Sequence, residues 1–183
     1  MTPIAVQNAY TPHSKARSTL ASNTPDVEYK SVEPVLVAAI RMTGKYSDAG
    51  KGFSQLGRKF GRHICGKALM LHHDSEYKEN DADYEVCMPI RQGSSTEDIE
   101  VRELSGGPCI SLIHLGPYDQ IGRAYNKIIE FARQQEHQIT RPTREIYLKG
   151  PGMIFKGNPK KYVTEIQMLI ANPQKPLGAK PGQ

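Results

Sequence analysis

The chain has 183 residues, a hydrophobic fraction of 38% and a formal net charge of +5, which is enough for one domain with a real core and too little for a second large one. Lys15, Arg17, Lys175 and Lys180 account for four of the five excess charges and lie in the Pro-, Ser- and Asn-rich ends. Residues 26–171 therefore carry +1 and lack the basic face that tracking phosphates requires, and no run of about 18 apolar residues exists to cross a membrane as a helix.

In chain order, residues 1–25 contain Pro3, Pro12 and Pro25, no acidic residue and no apolar periodicity. Such a stretch is expected to be a disordered extension, because it cannot bury enough surface to offset the entropy of ordering. Alternation at Val27 and Tyr29 predicts a short opening strand, and the run Val35 to Ile40 predicts a denser strand covered by a helix. Gly44-x-Tyr46 turns the chain, and Phe53, Leu56, Phe60 and Ile64 at helical spacing predict the helix, with Ser47 placed to cap it. Gly50, Gly52, Gly57 and Gly61 weaken that helix, so tertiary packing must hold it, with one face closely approached. Strands over Ala68 to His72 and Asp83 to Ile90 complete the first half.

The same order then recurs. Residues 26–56 lie without a gap over residues 98–128 at an offset of 72, matching Asp26/Asp98, Glu28/Glu100, Gly44/Gly116, Tyr46/Tyr118 and Gly50/Gly122, with Lys30/Arg102 and Phe53/Tyr125 conserved in kind. Ile99 and Val101 open the second copy, and Ile110 to Leu115 form its dense strand. Ile121, Tyr125, Ile128 and Phe131 predict its helix, with Asp119 as cap. Arg144 to Lys149 and Tyr162 to Ala171 close it, and Glu85 and Glu165 correspond at an offset of 80. The expected fold is α+β: two tandem β-α-β-β modules, about 26–92 and 98–171, related by a pseudo-twofold axis. Their antiparallel sheets carry helices on one face and enclose a central cleft, and residues 172–183 form a disordered tail.

A cleft at the seam would be lined by strand residues facing away from the helices. Glu145 stands out there, because it precedes Ile146, Tyr147 and Leu148 in a run otherwise suited to burial, and a buried carboxylate needs a cation. That cation could be a ligand's, or could come from Arg144, Arg141 or a surface Lys. Glu165 is a second carboxylate, whose counterpart in the other copy points to a structural duty. Phe53, Tyr84, Tyr147 and Tyr162 could offer faces to a flat cation. His72-His73-Asp74 alternates across a strand and does not suit one metal ion. Cys65, Cys87 and Cys109 have no metal or redox spacing and suit reduced thiols of a cytoplasmic protein.

Several motifs in this order resemble the gyrase-inhibitor-like (GyrI-like) small-molecule-binding domains, which also serve as effector-binding halves of bacterial multidrug-sensing transcription regulators. They are Gly44-Lys45-Tyr46 with Gly50-Lys51-Gly52-Phe53, Val101 to Gly107, His114-Leu115-Gly116-Pro117-Tyr118, Glu145-Ile146-Tyr147-Leu148 and Thr164-Glu165-Ile166, and the resemblance spans about residues 27–171. It implies a cleft that binds hydrophobic, often cationic drugs, with the buried acid at Glu145 and walls at Phe53, Tyr84 and Tyr162, with Tyr147 and Leu115 nearby. No metal or other cofactor is implied. About 27 residues precede the fold, too few for a helix-turn-helix, so direct DNA binding is not expected of this chain. Two alternatives follow from relatives: hydrolysis of cyclopropane-bearing alkylators by Glu145 and Glu165 with Tyr147 as acid, and inhibition of DNA gyrase as a protein partner. The absence of Trp, and Met70-Leu71-His72-His73 where many relatives carry aromatics, set this chain's ligand preference apart.

Overall fold

The computed structural model describes residues 26–151 and 157–171. Eight strands and two helices form an α+β fold: β1 (Glu28–Val32), β2 (Val35–Gly44), α1 (Ala49–Phe60), β3 (Leu69–His72), β4 (Ala82–Pro89), β5 (Glu100–Leu104), β6 (Gly107–Leu115), α2 (Gly122–Gln134), β7 (Thr143–Lys149) and β8 (Val163–Leu169). The strands make one antiparallel sheet in the order β1-β6-β8-β7-β3-β4-β2-β5, not two sheets stacked face to face. The reason is that β3 and β7 hydrogen-bond directly, Met70 opposite Glu145 and Leu71 opposite Arg144.

Each opening strand pairs with the other half of the chain. β1 joins β6, with Lys30 opposite Cys109, and β5 joins β2, with Arg102 opposite Val37. The links β1–β2 and β5–β6 are only two residues long, yet they connect strands from opposite ends of the sheet order. Links that short can be made only if the sheet curls until its ends approach. The links do meet: a Cβ on Gly106 would lie 2.3 Å from the Val32 carbonyl oxygen and 2.8 Å from the Pro34 ring nitrogen, so a bare backbone is needed there.

Both helices cover the same face. Leu56 and Phe60 of α1 pack with Ala38, Met70, Tyr84 and Val86, and Ile128 and Ala132 of α2 with Ile110, Leu112, Ile166 and Met168. Of the four glycines in and just after α1, Gly52 is the one pressed on the sheet, where a Cβ would meet Val86 Cγ2 at 2.5 Å and Met42 Sδ at 2.9 Å. Neither Ser47 nor Asp119 caps a helix. A single 3-10 turn, Tyr46–Asp48 or Tyr118–Gln120, leads into each helix, without a side-chain cap bond. Ile64 falls beyond α1 and bridges to Ile90. On the uncovered, concave face lie Val37, Ala39, Leu69, Leu71, Cys87 and Leu104. Arg144 also projects there and donates to the Ser105 carbonyl of the β5–β6 link at 2.7 Å. All three cysteines are free, Cys87 and Cys109 buried.

Candidate functional site: a buried carboxylate at the β3–β7 seam

Glu145 sits mid-strand in β7, next to β3, and is 7% exposed. Strand alternation places Glu145 and Tyr147 on one face, and that face is the helix-covered one, because Tyr125 of α2 and Phe53 of α1 both reach it. The expectation that the site faces away from the helices is therefore corrected. Both helices leave the seam between them uncovered by backbone, and side chains converge there.

The Tyr125 hydroxyl donates to Glu145 Oε1 at 2.8 Å, and the Tyr147 hydroxyl to Oε2 at 3.2 Å. His72 Nε2 comes within 3.2 Å of Oε1 as a charge contact, without the alignment of a directed hydrogen bond. Among the described residues no Lys or Arg pairs with this carboxylate: Arg144 points to the other face and Arg141 donates to the Asp74 and Ser75 carbonyls. Burial pushes the Glu145 carboxyl up, but His72, Tyr125 and Tyr147 outweigh burial and hold it below the ordinary carboxylate value. It is an anion at neutral pH. Burial and the adjacent Glu145 charge push Tyr125 and Tyr147 well above an ordinary phenol, so both remain donors. Burial, with smaller contributions from neighbouring groups including Glu145, also lifts Tyr46 and Tyr118 to about 12.

Rings enclose this anion from two sides. Tyr118 meets Tyr147 edge-on (centroids 5.5 Å apart) and Tyr162 at a tilt (5.2 Å), and Phe53 meets Tyr147 edge-on at 6.0 Å. On the other side Tyr46 contacts His72 and Tyr84, each at 5.3 Å, and Tyr77 at 5.7 Å. Where an open central cleft was expected, the carboxylate is buried among these rings, at 7% exposure. Hollows of about 440 and 430 Å³ open elsewhere, beside the segment joining the two halves; one is lined in part by Arg41, Glu85 and Glu100 and the other by Gln55, Arg58 and Lys59.

The structure thus brings Glu145, Tyr147, Phe53, Tyr84 and Tyr162 to the covered face, Tyr84 through its ring contact with Tyr46 while its hydroxyl donates to the Lys45 carbonyl. It does not bring Glu165 or Leu115 there. Ile146 is opposite Glu165 in the β7–β8 register, which puts Glu165 on the concave face in an ion pair with Lys30. Leu115 ends β6 with its side chain 63% exposed, on the same parity as Glu165. Sequence reasoning missed His72, Tyr125, Tyr46 and Tyr118 as neighbours of the acid. The signal for Tyr125 was present: it aligns with Phe53 at the 72-residue offset.

Residues 25–171 match the family model of the GyrI-like small molecule binding domain. No curated protein matches the chain by sequence. Among solved structures, the EcmrR C-terminal domain is similar at a TM-score of 0.70 and 24% identity, covering 80% of this chain and 97% of that one. The longer EcmrR chain in its complex with DNA gives 0.72 and 23% over 80% of this chain, which spans 57% of that chain's length. A hydrolase from Listeria innocua gives 0.58 at 13% identity, with 82% and 94% coverage. SAV2435, solved bound to tetraphenylphosphonium, gives 0.52 at 13%, with 79% and 93%. The curled antiparallel sheet with two helices is the fold these structures share. No described helix is long and apolar enough to cross a membrane. The chain belongs to the GyrI-like small molecule binding domain family.

Proposed function

We propose that this chain binds bulky, apolar cations, as a cytoplasmic sensing or sequestering domain, with Glu145 as the counter-charge and Tyr46, Phe53, Tyr84, Tyr118, Tyr147 and Tyr162 as the walls. The observation that carries the reading is the Glu145 carboxyl at 7% exposure with no Lys or Arg partner among the described residues. An anion desolvated among phenol rings attracts a positive, weakly hydrated guest, because the guest's charge meets both the carboxylate and the π faces. Entry requires the Tyr118 and Tyr147 rings to part, and Tyr118, 37% exposed, is the one at the rim.

The tandem organisation supports the same reading. Glu85 holds Arg102 and Glu165 holds Lys30, equivalent pairs in which each half grips the other's opening strand. A pseudo-twofold axis through β3–β7 would put the carboxylate beside the symmetry seam. The paired-glutamate hydrolase reading lacks its pair, since Glu145 and Glu165 project from opposite faces and cannot share one water. Gyrase inhibition gains no support from a folded part near +1.

Tetraphenylphosphonium is a suitable probe because its charge does not titrate. It is expected to bind wild type, and Glu145→Gln is expected to weaken binding by about 1 to 3 kcal/mol, measured by calorimetry at neutral pH. Equal affinities for the two proteins would remove Glu145 as the counter-charge.

A further inference from the structure

The imidazole of His72 is the one cation-forming side chain that touches Glu145 among the described residues. Its Nε2 is sequestered from water, lies 3.2 Å from Oε1 and lacks any directed hydrogen bond. Tyr125 and Tyr147 already satisfy the carboxylate, so Glu145 does not require a third partner to avoid a stranded oxygen. His72 is held in place by its ring contacts, Tyr46 from the turn after β2 at 5.3 Å and Tyr125 from α2 at 6.3 Å. The neighbouring titratable groups are otherwise engaged: Asp74 binds Lys78, and His73 faces the concave side and pairs with Glu85. Glu145 from β7, Tyr125 from α2, Tyr46 from the turn after β2 and, in the strand register, Tyr84 of β4 and Thr143 of β7 are what His72 meets on the elements packed against it.

We propose that His72 is a resident competitor for the Glu145 carboxylate, so that the seam takes a cationic guest in exchange for a proton. The proposal rests on the reading of Glu145 as a cation's partner and adds the residue that tunes it. Histidine is the side chain whose charge changes in the physiological range. When His72 is charged, the Glu145 anion already has a cation 3.2 Å away, and a second cation gains little from it and meets a like charge. When His72 is neutral, the anion is available and the ring remains as an uncharged wall. No covalent step is involved: the guest enters, and one proton leaves His72 for water. By linkage, acid must then loosen the guest as much as the guest expels the proton.

The test measures tetraphenylphosphonium affinity of the full chain between about pH 5 and pH 8, the span over which histidine titrates, for wild type, His72→Gln and Glu145→Gln. Calorimetry in buffers of different ionisation enthalpy counts the protons released. Wild type is expected to weaken about tenfold toward acid and to release a proton on binding there, while His72→Gln binds with one affinity throughout. Wild-type affinity that does not change with pH would overturn the proposal, as would a pH dependence that persists in His72→Gln. Should His72→Gln fail to fold, the ¹⁵N shifts of the His72 ring in wild type decide: neutral in the saturated protein and charged in the free protein at mildly acid pH supports the exchange, and one unchanged state contradicts it. Failure of the underlying reading looks different, because Glu145→Gln would then bind as tightly as wild type at pH 8.

Discussion

Glu145 was conspicuous as a charged residue in an apolar strand, and its surroundings explain how that charge is tolerated. Two phenol hydroxyls and one imidazole converge on it from β7, α2 and β3. Tyr125→Phe removes the shorter of the two phenol bonds and is expected to destabilise the fold by about 1.5 to 3 kcal/mol at neutral pH, the range for a hydrogen bond to a charged group, measured by urea unfolding. Because the folded state holds the Glu145 carboxyl below its ordinary value, ionisation favours the fold at pH above that ordinary value, and the contribution is lost as pH falls through the folded value. The Tyr125→Phe deficit should therefore shrink in acid; a deficit that stays constant down to low pH would mean the hydroxyl does not act through the carboxylate. Glu145 was legible because its type is wrong for its neighbours. His72 was not, because its importance depends on which strand lies beside β3, and the residues adjacent to it carry no sign of that pairing.

At the scale of elements, the alternation at Val27 and Tyr29 and at Ile99 and Val101 marked the opening strands correctly but not their partners. Two-residue links do not disclose whether a strand turns back on its neighbour or crosses to the far end of a sheet. The deciding contacts are Lys30 with Glu165 and Arg102 with Glu85, which fasten each exchanged strand to the half it joins. Glu85 also accepts from Arg41 at 2.9 Å and meets His73 at 2.8 Å, so burial, which raises its carboxyl, is outweighed and the net displacement is downward. A double-mutant cycle on Lys30→Met and Glu165→Gln is expected to give a coupling energy of about 0.5 to 3 kcal/mol, with the double variant recovering much of the loss, as happens when a buried charge is no longer left without its partner. Additive effects would show that the ion pair does not fasten β1, leaving that to its backbone ladder and the contacts of Tyr29 with Phe131 and His137. The correspondence of Glu85 and Glu165 at the 80-residue offset points to this structural duty. The helix starts were misjudged for a local reason: a 3-10 turn leads into each helix, so no side-chain cap bond from Ser47 or Asp119 occurs.

For the whole molecule, curling follows from topology. Strands that end at opposite margins of the sheet are joined by Glu33-Pro34 and Ser105-Gly106, and these links pack on one another, with Arg144 reaching from β7 to the second of them. Gly106→Ala would press a methyl group on the Val32 carbonyl and Pro34, and is expected to cost about 1 to 3 kcal/mol as overpacking does, seen as a lower unfolding midpoint; unchanged stability would show that the two links can separate freely. The β3–β7 pairing sets the half covered by α1 beside the half covered by α2, which is what brings Phe53, Tyr46 and Tyr125 around an acid from the far end of the chain. The repeat is legible in the sequence, but which face Glu145 occupies depends on the β3–β7 register, which no residue of either strand discloses. The most direct measurement is the carboxyl ¹³C shift of Glu145 in the full chain at neutral pH, without and with saturating tetraphenylphosphonium. The expected result is an ionised carboxylate in both states whose resonance moves when the guest binds; a protonated carboxyl, or an ionised one that does not respond to a bound guest, would contradict a buried anion that receives a cation.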